Sequence, residues 1–251
     1  MPLHFLLAGP AGEPLAAASS AHAGDAVALV GAEAHHAAAV RRVRVGEEVT
    51  VGDGRGAWMT GICEVVTPRE VVVRVTERTD IARAAPRIVL VQALAKGDRD
   101  ELAIQAATEL GVDEIVPWQA ARSVSRWDST KAEKGRQRWA TIVREAAKQA
   151  HRAWVPDVSG VLSTSALVDR IARSRALVLE PTAETALTVE PLDSVDEIVL
   201  VVGPEGGIAP DELAVLTGAG ARPVRLGATV LRTSTAGPAA IAVLNSALGR
   251  W

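Results

Sequence analysis

The sequence contains one cysteine, Cys63, one phenylalanine and no tyrosine among its 251 residues. A lone cysteine excludes an intramolecular disulfide and a cysteine-based metal cluster, and it is typical of a reducing compartment. No apolar run is long enough to span a bilayer, and the N-terminus lacks a basic region followed by a signal-like apolar core. We therefore expect a cytoplasmic protein with no metal and no membrane partner, and Cys63 as a small buried apolar residue.

Charge is uneven along the chain. The formal net charge is −3, yet residues 122–152 contain nine Lys and Arg residues against three Asp and Glu residues. Basic side chains with interleaved aromatic rings suit an RNA backbone and unstacked bases. A solvated helix face with Trp139 in the core is the alternative. The tryptophans in or beside this segment are Trp118, Trp127, Trp139 and Trp154.

Hydrophobic patterning divides the chain in two. Residues 1–80 alternate short β-rich runs with glycine turns, which predicts a small β-barrel. From Arg87, apolar strands alternate with amphipathic helices, which predicts an α/β domain with a parallel sheet over residues 81–251. Strands are predicted at 48–51, 71–75, 87–91, 114–116, 176–179, 198–202 and 224–226.

A helix is predicted to begin near Asp98, which is a suitable N-cap residue. Leu102, Ala106 and Leu110 recur at a spacing of four residues and are expected to share the apolar face. Gly111 is expected to end this helix.

Two glycine-bearing segments follow strand-like runs near the C-terminus, at residues 201–207 and 226–237. The run 197–202 is continuously apolar, as in a strand buried on both faces. Ligands of open α/β sheets bind beyond the carboxyl ends of the strands, and glycine allows close approach of the backbone. Together the two segments predict a cofactor site, although either cluster alone could be a plain strand-to-helix turn.

These turns, the run Leu231-Arg-Thr-Ser-Thr-Ala236 and the upstream block Lys96-Gly-Asp-Arg-Asp-Glu-Leu-Ala-Ile-Gln105 carry a resemblance that covers nearly the whole chain. The sequence resembles the RsmE-type enzymes of the SPOUT class of RNA methyltransferases, which methylate uridine N3 in small-subunit ribosomal RNA. In the first region, the turn at 52–56 is also similar to that family. One departure is Ser234, which stands where many members carry glutamate.

The resemblance implies a SPOUT-type C-terminal domain with a deep trefoil knot, a PUA-like RNA-binding barrel over residues 1–80, and a homodimer. It implies S-adenosylmethionine (SAM) as the cofactor and 16S ribosomal RNA, within the small subunit or its precursor, as the partner. It assigns cofactor binding to Leu179, Glu180, Pro181, Gly203, Pro204, Glu205, Gly206, Gly207, Leu226, Gly227, Leu231, Arg232, Thr233, Ser234 and Ala236.

Uracil N3 is protonated at neutral pH and lies on the Watson–Crick edge, so the base must be unpaired or flipped and must lose a proton. Arg232 is the first candidate to stabilise charge on O2 or O4, with a salt bridge or a carbonyl contact as its alternative role. Glu205 is a candidate base, although it could instead cap a helix or hold a loop amide. The residues predicted to bind RNA are Arg41, Arg42, Arg44, Arg122, Arg126 and Arg144.

Three functions compete at this point. The first is uridine-N3 methylation of 16S ribosomal RNA, and the second is SPOUT methylation of another target, such as a ribose 2′-OH or a transfer RNA. The third is a noncatalytic ribosome-assembly factor that binds RNA, which the intact glycines and Arg232 disfavour. A dinucleotide oxidoreductase is weaker still, because no G-x-G-x-x-G fingerprint follows the first α/β strand.

Overall fold

The computed structural model describes residues 2–7, 20–192 and 195–251. Its contacts divide the chain into two compact units. The first contains the residues up to Arg83 together with Ala147–Val155, and the second contains Ala84–Ala146 and Pro156–Trp251. Each unit has a hydrophobic core of its own.

The first unit is organised by a five-stranded sheet with the order β1-β3-β4-β5-β2. β1 is parallel to β3, and the remaining pairs are antiparallel. Inward-facing residues such as Phe5, Val49 and Met59 are buried, and Cys63 is 1% exposed, which confirms it as a buried apolar residue. Its described elements are β1 (Leu3–Leu6), β2 (Ala26–Val30), α1 (Gly31–His35), a π-helical turn (His36–Val40), β3 (Glu48–Gly52), β4 (Ala57–Val66) and β5 (Glu70–Asp80).

The second unit is an α/β fold built on a parallel sheet with the order β11-β9-β10-β6-β7-β8. The predicted parallel sheet is thus confirmed. Its elements are β6 (Arg87–Ala93), α2 (Arg99–Glu109), β7 (Glu114–Trp118), α3 (Ala132–Gln149), β8 (Asp157–Val158), α4 (Thr164–Ile171), β9 (Arg175–Leu179), a 3-10 turn (Leu187–Val189), β10 (Glu197–Val202), α5 (Pro210–Gly218), β11 (Arg222–Val224) and α6 (Thr233–Ala247). The last three residues of α3 belong to the first unit.

Because every pair in this sheet is parallel, the carboxyl ends of the strands meet at one edge. The opposite, amino edge is held by ion pairs: Arg170 lies 2.6 Å from Glu114 and 3.0 Å from Glu197. β10 lies between β6 and β9, and β11 lies on the far side of β9. The loops that follow β9, β10 and β11 are therefore neighbours, although they come from separate parts of the chain.

Two local predictions are wrong. In α2 the buried residues include Ala103, Ile104 and Ala107, whereas Leu102 is 51% exposed. The packed face follows the mixed spacing of three and four residues, not a spacing of four alone. β11 ends at Val224, two residues before the predicted end. Within the described residues, every helix is too short or too polar to cross a membrane.

Candidate cofactor-binding site

A cavity of about 400 Å³ lies at the carboxyl edge of the parallel sheet. Its walls are the loops after β9, β10 and β11 and the first turn of α6. Such a volume is in the range of small-molecule sites, and the position matches the rule for ligands of open α/β sheets. The geometry therefore indicates a ligand site formed by three loops.

Most residues predicted to bind the cofactor line this cavity. Two predicted residues, Gly206 and Ser234, do not line it. Those that line it are Leu179, Glu180, Pro181, Gly203, Pro204, Glu205, Gly207, Leu226, Gly227, Leu231, Arg232, Thr233 and Ala236. The sequence interpretation missed Arg99, Val202, Ile208, Val224, Arg225, Thr229 and Val230, which also line it.

The glycines of the walls have distinct reasons to be there. A Cβ at Gly203 would lie 2.7 Å from Cγ1 of Ile208, a distance that real Cβ atoms do not tolerate. Gly207 has φ of +70°, a region that L side chains rarely adopt. At Gly227 an added Cβ would meet nothing within 4 Å, so this glycine faces open space. The turn after β10 thus requires glycine for its shape, whereas Gly227 leaves room.

A buried chain of hydrogen bonds joins the walls to the centre of the sheet. Gln92, at the end of β6, is fully buried, and its Nε2 donates to Thr233 Oγ1 at 2.9 Å. Thr233 Oγ1 in turn donates to the Gly203 carbonyl at 2.8 Å. These two hydrogen bonds hold the first turn of α6 against the turn after β10. Its sequence signal was a lone polar residue at the end of an otherwise apolar strand.

Arg225 fixes the loop after β9. Its Nη1 donates to the carbonyls of Ala183 and Glu184 at 2.7 and 2.6 Å. The backbone adds two bonds: Glu180 N–H to the Val224 carbonyl at 3.0 Å and Leu187 N–H to the Arg225 carbonyl at 2.9 Å. The loops after β9 and β11 therefore form one bonded wall.

Arg232 is the N-cap residue of α6, and its carbonyl accepts the N–H groups of Thr235 and Ala236 at 2.9 Å. Its side chain is exposed and makes no ion pair or hydrogen bond with any described residue. The alternative role as a salt bridge or carbonyl contact therefore has no support among these residues. A guanidinium with free donors at a cavity wall is available to a ligand.

Glu205 is engaged in loop contacts. Its Oε1 accepts the Lys96 N–H at 2.9 Å and Nη1 of Arg99 at 2.9 Å. Partial burial by itself would raise the pKa of Glu205, but hydrogen bonds from its own backbone, from Lys96 and from Arg99 lower that pKa below its usual value. A carboxylate that is stabilised in its charged form is a poor proton acceptor. The geometry favours the alternative in which Glu205 holds a loop amide.

The basic segment forms α3 and the loop before it, and two of the four tryptophans in or beside it are not available to stack on RNA bases. Trp118 and Trp139 are buried, and Trp127 packs edge-on against Trp139 with ring centroids 5.1 Å apart. Burial of the large apolar surface of Trp118 and Trp139 stabilises the core. Arg138 is paired with Glu101, so it is not an unpaired cation.

Of the residues predicted to bind RNA, Arg122 and Arg126 are exposed beyond the end of β7, and Arg144 is partly buried in α3. Arg122 Nη1 donates to the Gly206 carbonyl at 3.0 Å, which brings it to the turn after β10. The other three, Arg41, Arg42 and Arg44, are exposed in the first unit. None of these six residues lines the cavity.

Comparison with known proteins identifies the family. A family model described as an RNA methyltransferase domain matches residues 83–245, which contain every wall of the cavity. The chain belongs to this family. A second family model, described as an RNA methyltransferase PUA domain, matches residues 29–76.

Similar proteins indicate which type of RNA methyltransferase this is. A "Ribosomal RNA small subunit methyltransferase E" from Mycobacterium bovis is 47% identical and covers 90% of this chain and 88% of its own length. The Bacillus subtilis protein of the same name is 34% identical over 83% of this chain and 85% of its own. A crystal structure of a protein of that name from Neisseria gonorrhoeae, bound to S-adenosyl methionine, has a TM-score of 0.84, 28% identity and coverage of 98% of both chains. This RNA methyltransferase is therefore of the RsmE type.

Proposed function

We propose that this protein transfers a methyl group from SAM to N3 of a uridine in 16S ribosomal RNA of the small subunit. The observation that carries the proposal is the cavity at the carboxyl edge of the sheet, whose three loops belong to an RNA methyltransferase domain. The relative from Neisseria gonorrhoeae was crystallised with S-adenosyl methionine. The target atom comes from the family resemblance.

The residues of the cavity fit SAM. Apolar side chains such as Leu179, Leu226 and Leu231 suit an adenine ring, while exposed backbone groups of the glycine turns suit its polar edge and the amino-acid part. Gly227 faces open space where a side chain would intrude. Bound there, SAM supplies an electrophilic methyl carbon on a sulfonium.

The protein's own part in the reaction is to position groups and stabilise charge. The target uracil must be out of its stack for N3 to be reached, and negative charge spreads to O2 and O4 as the N3 proton leaves. Arg232, at the wall and unpaired among the described residues, is the catalytic residue that neutralises this charge. Ser234, which replaces the family's usual glutamate, has no part in the proposed chemistry.

The same proposal includes the finer architecture. The C-terminal domain, residues 81–251, forms a trefoil knot of the SPOUT type. The strand order β11-β9-β10-β6, in which β9 lies between β10 and β11, supports this part of the proposal. The N-terminal domain, residues 1–80, is a PUA-like barrel that binds RNA, which the PUA match and the mixed sheet support.

The proposal also covers partners. The protein works as a homodimer on the small ribosomal subunit or its precursor in the cytoplasm, during ribosome biogenesis. Five of the six arginines predicted to bind RNA are exposed, and they supply contacts to the RNA backbone together with the partly buried Arg144.

The test is methyl transfer from labelled SAM to small ribosomal subunits that lack their native modification, followed by mass spectrometry of the nucleosides. We expect 3-methyluridine with the wild type and its loss with Arg232→Ala. A different methylated nucleoside would replace the target while retaining the enzyme class. SAM binding without any transfer would support the noncatalytic assembly factor instead.

A further inference from the structure

Three basic residues, Lys96, Arg99 and Arg122, form a cluster at the opening of the cavity, which we call the lip. This cluster has no part in the chemistry above. Arg99, the first residue of α2, lines the cavity, although every other described lining residue lies between Leu179 and Ala236. Its side chain is 47% exposed. Arg99 therefore stands at the boundary between the cavity and solvent.

The turn after β10 fastens this arginine and a second one. Arg99 Nη1 lies 2.9 Å from Glu205 Oε1, the same oxygen that accepts the Lys96 N–H. Arg122 Nη1 donates to the carbonyl of Gly206, the next residue, at 3.0 Å. Two adjacent residues of one turn, Glu205 and Gly206, thus bind two arginines. Arg99 begins the helix after β6, and Arg122 lies in the loop after β7.

The backbone that carries Arg99 is also held in place. The buried carboxylate of Asp100 accepts the N–H of Ala95 at 3.0 Å and that of Glu101 at 2.9 Å. With the loop and one guanidinium nitrogen fixed, the side chain loses less conformational freedom when it binds a ligand. Arg99 is therefore preorganised toward the opening of the cavity.

The remaining donors of Arg99 suit a phosphate. A guanidinium has five N–H donors, and Nε and Nη2 of Arg99 have no partner among the described residues. The planar fork matches two oxygens of a phosphate. Among the described residues, Glu205 is the carboxylate that pairs with Arg99, and it leaves Nε and Nη2 of this guanidinium without a partner.

We infer that Arg99 binds a backbone phosphate of the RNA strand beside the flipped base and that Glu205 is its positioning residue. The inference deepens the proposed function and depends on it. A phosphate of the RNA fits better than the carboxylate of the cofactor, because Arg99 is half-exposed and neighbours the exposed Lys96 and Arg122. It also gives Glu205 a role that agrees with its lowered pKa.

The experiment compares the wild type with Arg99→Ala, Glu205→Gln and a matched control, Arg173→Ala. Arg173 is an exposed arginine between α4 and β9, at the amino edge of the sheet, so its loss removes the same charge far from the lip. Binding to unmodified small ribosomal subunits is measured over a series of salt concentrations. SAM affinity is measured by calorimetry without RNA, and methyl transfer is measured alongside.

For Arg99→Ala we expect RNA affinity to fall about tenfold, since charge-assisted hydrogen bonds are lost. The slope of log affinity against log salt should flatten by about 0.7, the value for one phosphate contact on a single strand. SAM affinity and the Arg173→Ala control should match the wild type. Glu205→Gln should keep the slope, because the charge of Arg99 remains, while RNA affinity falls through lost positioning.

An unchanged salt slope for Arg99→Ala would overturn the inference, and so would a loss of SAM affinity, which would assign Arg99 to the cofactor. Failure of the proposed function is a separate result. If the wild type transfers no methyl group to these subunits, the function fails whatever Arg99 does. If the wild type is active and only the slope prediction fails, the function stands without this contact.

Discussion

Thr233→Val is the sharpest test of the buried chain that joins the walls of the cavity. Valine matches threonine in shape, so the substitution removes the hydroxyl without opening a void. The Gly203 carbonyl then loses its donor at 2.8 Å, while Gln92 Nε2 loses one acceptor and keeps the Ala93 carbonyl at 3.2 Å. Gly203 is partly buried and lines the cavity, so each lost hydrogen bond costs about 1 kcal/mol and we expect about 2 kcal/mol of lost stability.

Thr233→Ser is the matched control, because serine keeps the hydroxyl and removes only a methyl group, at a cost of about 1 kcal/mol. Urea unfolding followed by tryptophan fluorescence compares the two variants, and calorimetry compares their affinity for SAM. The valine variant should be the less stable and the weaker SAM binder, since the turn at Gly203 is no longer held. Equal stability and equal SAM affinity in both variants would refute the role of the Thr233 hydroxyl in holding the turn at Gly203.

Three further outcomes are expected. Gly203→Ala should weaken SAM binding about tenfold, since overpacking costs about 1–3 kcal/mol, and calorimetry that finds wild-type affinity would contradict this. Glu33→Gln should destabilise the fold by about 1.5–3 kcal/mol in urea unfolding, because it removes the ion pair that Glu33 makes at 3.1 Å with the buried Lys148, whereas Glu133→Gln at an exposed pair should leave the midpoint unchanged. Burial, aided by the charge of Glu47, raises the pKa of the Cys63 thiol to about 11, so native protein at pH 8 should react slowly with a thiol reagent and rapidly in urea; fast labelling of the native protein would argue against this burial.

Sequence patterning predicted the parallel sheet, the buried strand 197–202 and the glycine turn that follows it, because each is a local property of the chain. A strand covered on both faces must be apolar throughout, and a turn that opens toward a ligand needs residues without side chains. Family resemblance supplied what periodicity does not contain, including the cofactor and the target. The role of Trp139 was left open between RNA contact and core, and its burial decided it.

The tertiary structure decided which distant residues share the site. Gln92 is 141 residues from Thr233, and Arg99 is 106 residues from Glu205, yet both pairs are in hydrogen-bond contact. Such contacts follow from the order of strands in the sheet, which places β6 beside β10, and strand order is not a property of any local segment. The turn after β10 was therefore recognisable as a ligand-binding loop from its own residues. The hydrogen bonds from Lys96 and Arg99 to Glu205 could be seen only in the tertiary structure, because they join segments that follow two different strands at one edge of the sheet.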